Sequence, residues 1–251
     1  MLKIIISGCS GHMGQVVAQL CQADPQVEIA AGFDVMGGSS DDFPIYTAPA
    51  QFTGEADALI DFSSPAALDG LLAFAQRTGT PLVLATTGYS PEQLAQIGAV
   101  AQHSPIFRSG NMSLGINLLL ELVKKAASVL GDSADIEIVE RHHNRKVDAP
   151  SGTAIMLADA ATEGLSHPTE YVYDRHSVRK PRDKQEIGIS SIRGGTIVGE
   201  HEIIFAWHDE LIEIKHTALS REIFAQGALA AAKRMATVTT PGLYDMSLLV
   251  H

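Results

Sequence analysis

Cysteine is almost missing from this sequence: Cys9 and Cys21 are the only two. A single pair of thiols makes no disulfide framework, so a stapled secreted scaffold is excluded and a reducing compartment is expected. Basic residues are short as well, with 18 Lys and Arg against 29 Asp and Glu and a formal net charge of −11. Non-specific nucleic-acid binding needs a basic face that displaces counterions, so nucleic acid is not expected as a partner. No apolar run is long. The opening stretch Met1-Leu2-Lys3-Ile4-Ile5-Ile6-Ser7-Gly8 is too brief for a signal-peptide core or a membrane span, which points to a cytoplasmic protein with no membrane partner. Internal repeats and low-complexity tracts are missing too. What remains, 45% hydrophobic and 19% charged, suffices for one large or two smaller buried cores and argues against intrinsic disorder.

Against that acidic background one segment stands out. Glu140–Ala154 reads E-R-H-H-N-R-K-V-D-A-P-S-G-T-A, and Arg141, His142, His143, Arg145 and Lys146 fill five of six consecutive positions. Asp148-Ala149-Pro150-Ser151-Gly152-Thr153 follows directly as a helix-start signal. Cations beside a helix N-terminus favour a small anion, because the free backbone N–H groups and the positive dipole end point the same way. Histidine in that setting exchanges protons near neutral pH. The net charge repels a dianion at long range, so the cluster must act at short range. The expectation is catalysis on an acidic metabolite.

The first half alternates short apolar runs with helical patterns, as a parallel sheet wound with helices does. Strands are expected at 2–7, 27–33, 58–62, 81–85 and 106–107, helices at 13–23, 65–77 and 90–102, and a loop-rich stretch over 35–54. A long amphipathic helix, 114–130, is stopped by Gly131. A strand at 136–140 and a helix at 153–163 follow. From Glu186 the chain reads as antiparallel: 188–193, a hairpin turn at Gly194-Gly195, 196–205, a turn at His208-Asp209-Glu210, then 211–217. A last helix, 221–235, and a tail over 242–250 close the chain. The class expected is α/β with two domains: a dinucleotide-binding domain, 1–112 with 218–251, and an inserted α+β domain, 113–217, with an open mixed or antiparallel sheet.

Gly8-Cys9-Ser10-Gly11-His12-Met13-Gly14 spaces its glycines G-x-x-G-x-x-G between the first strand and the first helix. Such a turn tightens without a Cβ, lets backbone approach a pyrophosphate and aims N–H groups at it. Asp34 closes the second strand 20 positions past Gly14, where a carboxylate takes ribose hydroxyls. Cys9 reads as a small packing residue rather than a reactive thiol. A 2′-phosphate would want Lys or Arg beside Asp34, yet none occurs between Lys3 and Arg77, Val35 follows the carboxylate, and Asp41 and Asp42 lie near. NADH is therefore expected over NADPH, with His12 the one candidate cation of the loop and NADPH a tolerated second choice. Ala85-Thr86-Thr87-Gly88 and Ser109-Gly110-Asn111-Met112 follow the fourth and fifth strands at their carboxyl ends, where ligands of open α/β sheets sit. Both loops are expected at the nicotinamide end.

In the basic segment, His142 and His143 are neighbours at a strand end and point to opposite faces, which leaves one of them as the close acid. Lys146 supplies a donor for a carboxylate or a proton for a developing amine. Ser151, Gly152 and Thr153 offer hydroxyls and backbone N–H groups to a carboxylate, and Asp148 is expected to cap or orient the turn, since its charge opposes an anionic ligand. A metal is not expected: the sequence has no H-x-x-x-H helical pair and no cysteine cluster, and Arg145 and Lys146 oppose a cation.

Glu140–Ala154 resembles the signature of the 4-hydroxy-tetrahydrodipicolinate reductases (older name dihydrodipicolinate reductases) of the bacterial and plant diaminopimelate–lysine pathway. The loops Gly8–Gly14 and Ala85–Gly88, the stretch Gly110–Asn117, and the closing stretch from Ser220 through Gly242-Leu243-Tyr244-Asp245-Met246 are similar to the family's in the same order. The resemblance implies a Rossmann-like domain, a second domain whose open sheet serves substrate binding and tetramerisation, and a homotetramer. It implies reduction, by NADH or NADPH, of a small cyclic dicarboxylate, (2S,4S)-4-hydroxy-2,3,4,5-tetrahydrodipicolinate, to (S)-2,3,4,5-tetrahydrodipicolinate with loss of water. It further implies His142 as acid/base, Lys146 as proton donor, and His143, Ser151, Gly152 and Thr153 as substrate contacts. The cofactor contacts it implies are Gly8, Cys9, Ser10, Gly11, His12, Met13 and Asp34, with Ala85, Thr86, Thr87, Ser109, Gly110, Asn111 and Met112. His12 stands where the family commonly has Arg, Ala85 where it usually has Gly, and Arg141 where it often has a small residue. Two rivals share parts of the pattern. Another two-domain nicotinamide-dependent dehydrogenase acting on a small dicarboxylate should have the glycine loop and Asp34 without H-H-x-x-K…D-A-P-S-G-T. A non-catalytic nucleotide sensor would need no proton donor.

Overall fold

In chain order the elements are β1 (Leu2–Ser7), α1 (His12–Ala23), β2 (Val27–Phe33), β3 (Ile45–Tyr46), β4 (Ala58–Asp61), α2 (Leu68–Thr78), β5 (Leu82–Leu84), α3 (Pro91–Ala101) and β6 (Pro105–Arg108). They continue with α4 (Leu114–Leu130), β7 (Asp135–His142), α5 (Gly152–Gly164), β8 (Glu170–Val172), β9 (Glu186–Arg193), β10 (Gly199–Trp207), β11 (Glu210–Ala218), α6 (Glu222–Met235), β12 (Gly242–Tyr244) and α7 (Ser247–Val250). This computed structural model describes residues 1–38 and 40–250. Ser39, inside the loop-rich stretch expected over 35–54, lies outside the described residues. The chain divides into two compact units, Met1–Leu114 with Glu222–His251, and Gly115–Arg221.

The first unit is built on a parallel sheet of order β12-β6-β5-β4-β1-β2-β3. A strand covered on both faces must be apolar throughout, and Ile4, Ile5 and Ile6 of β1 are all fully buried. Ile4 and Ile6 pack with Val17 and Cys21 of α1 and Ala228, Leu229 and Ala232 of α6, while Ile5 packs on the opposite face with Leu71 and Phe74 of α2 and Ile97 of α3. Ser90 opens α3 as a capping box: its hydroxyl accepts from Gln93 N at 3.2 Å, and Gln93 Oε1 accepts from Ser90 N at 3.0 Å. The stretch expected to be loop over 35–54 contains the two-residue strand β3, and the helix expected from Pro65 begins as a single 3₁₀ turn, Pro65–Ala67.

The second unit has a five-stranded mixed sheet of order β11-β10-β7-β9-β8. Strand β7 alternates strictly between buried and half-buried residues. Its inner face places Ile136 and Ile138 in a core with Ile116, Leu119 and Val123 of α4 and Leu157 and Ala161 of α5. The Gly194-Gly195 hairpin is corrected by the structure. β9 pairs parallel with β7, and β10 pairs antiparallel with the other edge of β7, so β9 and β10 are not neighbours. The reason is β8, a short strand the sequence reading omitted: it occupies the outer edge of β9 and leaves β10 only the free edge of β7. The glycine pair is therefore a strap across the end of β7, where Gly194 N donates to His142 O at 2.9 Å and Gly195 O accepts from Asn144 N at 3.2 Å. β10 and β11 do form a tight hairpin through His208, whose φ is +39°, and Asp209. On the outer face of the sheet Arg141 reaches Glu202 at 3.1 Å and Glu200 at 3.5 Å, and Lys215 reaches Glu200 at 2.8 Å. That ion-pair group accounts for the arginine at position 141.

Candidate active site

The glycine turn sits where β1 hands over to α1. Gly8 has φ +75°, in the left-handed region where glycine is favoured, and Gly11 N donates to Gly8 O at 3.0 Å. A Cβ on Gly14 would stand 2.1 Å from Gly8 O, so the first turn of α1 can approach the loop only with glycine there. No side chain caps α1, whose first N–H groups begin at the exposed His12. Asp34 is already oriented: Oδ2 accepts from Ser10 N and Oδ1 from Met36 N, each at 3.1 Å. Beside it lies a cleft of about 350 Å³ lined by Gly8, Gly11, Asp34, Thr47, Ser63 and Ser64, among others. A dinucleotide fits this set, with backbone for the pyrophosphate and a carboxylate for ribose hydroxyls. Thr47, Ser63 and Ser64 were not anticipated, although Ser63-Ser64-Pro65 directly follows a strand end. Ser63 is held by Asp61, its hydroxyl donating at 2.5 Å.

The other cofactor candidates divide by exposure. Cys9 and Met112 are buried in the core of the first unit, so only their backbone faces outward chemistry. Burial raises the Cys9 thiol pKa, in keeping with a packing role. Ala85 and Thr86 are buried while Thr87 is exposed. Ser109 braces its own loop: its hydroxyl accepts from Asn111 N at 3.2 Å and donates to Asn111 O at 2.8 Å. Gly110 at the tip is exposed.

In the second unit the chemistry collects at the carboxyl end of β7. Strand alternation puts Glu140 and His142 on the inner face, directly beyond Ile136 and Ile138. Glu140 is fully buried, and Arg193, His142, Ser151 and Ser191 converge on it. Arg193, ending β9, donates to both carboxylate oxygens at 2.7 Å. His142 Nδ1 lies 2.6 Å from Oε2, and Ser151 N donates to Oε1 at 3.1 Å. Burial pushes the Glu140 carboxyl up, but hydrogen bonds from Arg193, then His142 and Ser191, outweigh it and hold the group down at about 2. His142 is 8% exposed; burial lowers its pKa, the Glu140 carboxylate opposes this, and Lys146 and Arg193 add to the lowering. His201, opposite Glu140 on β10, meets the His142 ring edge-on at 5.1 Å between centroids, and its Nε2 lies 2.9 Å from Ser151 Oγ. Burial first, then the charge of His142, push His201 down to about 4.

The basic loop then leaves the strand. Lys146 Nζ pairs with Asp148 Oδ1 at 2.9 Å, while Arg193 donates to Asp148 O at 2.6 Å. Asp148 was expected to cap or orient the turn. It does not cap α5: Ser151 is the N-cap, its hydroxyl accepting from Ala154 N at 3.2 Å, and the Asp148 carboxylate serves Lys146 instead. The Ser151 hydroxyl and N–H are thus both engaged within the protein, whereas Gly152 is exposed and Thr153 half-buried at the start of α5. His143 is half-buried, and its Nδ1 is inaccessible to solvent and without a hydrogen-bond partner. Two participants were missed from sequence, Arg193 and His201, and the role of Glu140 was not seen. The spacing E-x-H on an expected strand was the available signal for the Glu140–His142 pair. Among the described residues no group of three or more His, Cys, Asp and Glu could hold a metal ion, and no helix is long and apolar enough to cross a membrane.

Two family models together cover nearly all of the chain. The family model described as "Dihydrodipicolinate reductase, N-terminus" matches residues 2–112, and "Dihydrodipicolinate reductase, C-terminus" matches residues 115–250. The chain belongs to the dihydrodipicolinate reductase family. It is 50% identical over 250 residues to a 4-hydroxy-tetrahydrodipicolinate reductase of Caldanaerobacter subterraneus, covering 100% of this chain and 98% of that one. It is 47% identical to a reductase of the same name from Clostridium perfringens, covering 98% and 97%. The dipicolinate-bound dihydrodipicolinate reductase of Paenisporosarcina sp. TG-14 has the same fold, with a TM-score of 0.82 at 22% identity over the whole of both chains. Family membership makes the chain a nicotinamide-dependent oxidoreductase, with residues 2–112 matching its dinucleotide-binding part.

Proposed function

We propose that this chain reduces (2S,4S)-4-hydroxy-2,3,4,5-tetrahydrodipicolinate to (S)-2,3,4,5-tetrahydrodipicolinate with loss of water, with His142 and Lys146 as its catalytic residues. One observation carries the reading: a titratable imidazole, fixed by an ionised carboxylate at 2.6 Å, beside a lysine and the N-terminus of α5. That corner suits a substrate that carries a carboxylate and must receive a proton on its ring. Relatives 47–50% identical over nearly their full length bear the reductase name.

The nicotinamide, when bound, supplies the hydride. The chain's residues do the rest. Asp148 is 59% exposed in its side chain, so a substrate carboxylate can replace it on Lys146. Gly152 and Thr153 present the start of α5 to the same anion, Ser151 holds the turn in place, and His143 is carried over from the sequence as a further substrate contact. Two substrate carboxylates offset the cationic influence of Lys146 and Arg193, which raises the proton affinity of His142 on binding and readies it to protonate the reduced ring system. Asp34, with no Lys or Arg between Lys3 and Arg77, supports NADH as the preferred reductant, with NADPH tolerated. The cofactor contacts remain those named from sequence: the Gly8–Met13 turn, Asp34, and the loops Ala85–Thr87 and Ser109–Met112. We further propose a cytoplasmic homotetramer that uses the outer face of the second unit's sheet.

The test is a coupled assay in which the labile substrate is made in place from aspartate semialdehyde and pyruvate, with NADH and NADPH compared. Substrate-dependent oxidation that is faster at limiting NADH supports the reading. No oxidation with either cofactor refutes it.

A further inference from the structure

Glu140 contributes nothing to a ligand directly. It is fully buried, and its two oxygens are taken by Arg193, His142 and Ser151. A buried carboxylate inside an enzyme core is costly unless something requires it, and apolar residues precede it on the same face of β7. An ionised carboxylate accepts hydrogen bonds and donates none, so the close contact to His142 requires the proton on Nδ1. Nε2 is then the nitrogen left to exchange protons. Gly199 on β10 keeps that side of the ring open, since a Cβ there would lie 3.2 Å from Nε2.

We propose, resting on the catalytic reading of His142 above, that Glu140 is a positioning residue that fixes the tautomer and orientation of His142, and that Arg193 is the counter-ion that keeps Glu140 ionised for this purpose. The two are supplied by adjacent parallel strands, with His142 in register with Arg193 and Glu140 with Ser191. Arg193 also holds the backbone of Asp148, so one guanidinium ties the strand that carries the imidazole to the loop that carries Lys146. The groups facing His142 are Glu140 on its own strand, Arg193 on β9, His201 on β10, and Lys146 in the loop, itself paired with Asp148. Glu140 alone favours the imidazolium among them, because the cations and the His201 ring oppose it or are neutral.

Opposite substitutions should therefore act with opposite sign. Removing the Glu140 charge makes His142 harder to protonate. Removing Arg193 lets the Glu140–His142 pair take up its next proton at higher pH. The experiment uses the full chain labelled with ¹⁵N-histidine, with long-range ¹H–¹⁵N correlation spectra recorded across a pH series and the His142 signals identified by their loss in His142→Gln. The wild type should show the Nδ1–H tautomer. Glu140→Gln should move the His142 titration to lower pH and mix the tautomers, and Arg193→Gln should move it to higher pH. In turnover, Glu140→Gln should lower kcat on the order of 100-fold with little change in KM and shift the alkaline limb of its pH profile downward, as expected for a misoriented imidazole. Glu140→Asp should recover part of that loss. A folded Glu140→Gln whose His142 titration and tautomer match the wild type overturns the proposal, as do two variants that shift the same way. If Glu140→Gln fails to fold, Arg193→Gln decides: an upward shift supports the proposal, and no shift or a downward one overturns it. These resonances are read without turnover, so an error in the catalytic reading would show separately, as near-normal rates in His142→Gln.

Discussion

His201 should make the second unit sensitive to acid, and replacing it should remove most of that sensitivity. Its ring is buried, with 5% exposure, and its Nδ1 has no partner, so the neutral form is strongly favoured in the folded chain. Burial, then the neighbouring His142, bring it from 6.5 to about 4. Because the folded state resists the proton, the unfolded chain binds more protons between these values. Stability is therefore complete above about pH 6.5 and drains away as the pH falls toward 4. With each tenfold change in proton affinity at about 1.4 kcal/mol, the loss between pH 7.5 and 4.5 comes to about 2.5 kcal/mol. The molecule has one tryptophan, Trp207 at the end of β10, so its fluorescence reports on this unit. Urea unfolding at one fixed protomer concentration should show the wild-type midpoint falling on the order of 1–2 M further than that of His201→Gln over this pH range. Carboxylates and His142 titrate in both proteins, so they largely cancel in the comparison. Equal losses for wild type and variant would refute the account of a neutral buried imidazole.

Three further outcomes are expected. His142→Gln should lower kcat by about 10²- to 10⁴-fold with modest change in KM, whereas Lys146→Ala should damage both, as steady-state assays would reveal. Asp34→Ala should weaken NADH binding by about 10- to 100-fold while costing NADPH less, and calorimetric titration finding wild-type NADPH the tighter ligand would contradict the cofactor assignment. Gly14→Ala forces a Cβ to 2.1 Å from Gly8 O, so we expect roughly 3 kcal/mol of lost stability and no measurable NADH binding, seen by thermal melting and titration.

What could be read from sequence followed from how local the determinant was. The run Leu2–Ser7, the strand Val27–Phe33 and the helix Leu114–Leu130 have bounds set by their own apolar pattern, and the structure has them at those residues. β8 is three residues long with one exposed, and β3 is two, so neither carries a period to detect. Gly194-Gly195 looks like a hairpin turn because a glycine pair stands between two strand-like runs, and nothing in that local pattern shows β7 pairing with both β9 and β10. His142, Lys146 and Ser151 were legible because they crowd one segment. Arg193 reaches Glu140 across 53 positions and His201 reaches Ser151 across 50, and only strand register joins them.

The split of the first unit bears on how the chain is made. Ala225, Ala228, Ala231, Ala232 and Met235 of α6 fill the same core as Ile4, Ile6, Ile60 and Val83. A ribosome emitting this polypeptide releases β1 through β6 long before the helix that covers one of their faces. The inserted unit, contiguous from Gly115 to Arg221, is meanwhile fully emerged and free to fold. Nascent β1–β6 thus wait with a bare apolar surface until α6 has been made, which is where holding chaperones would find their client.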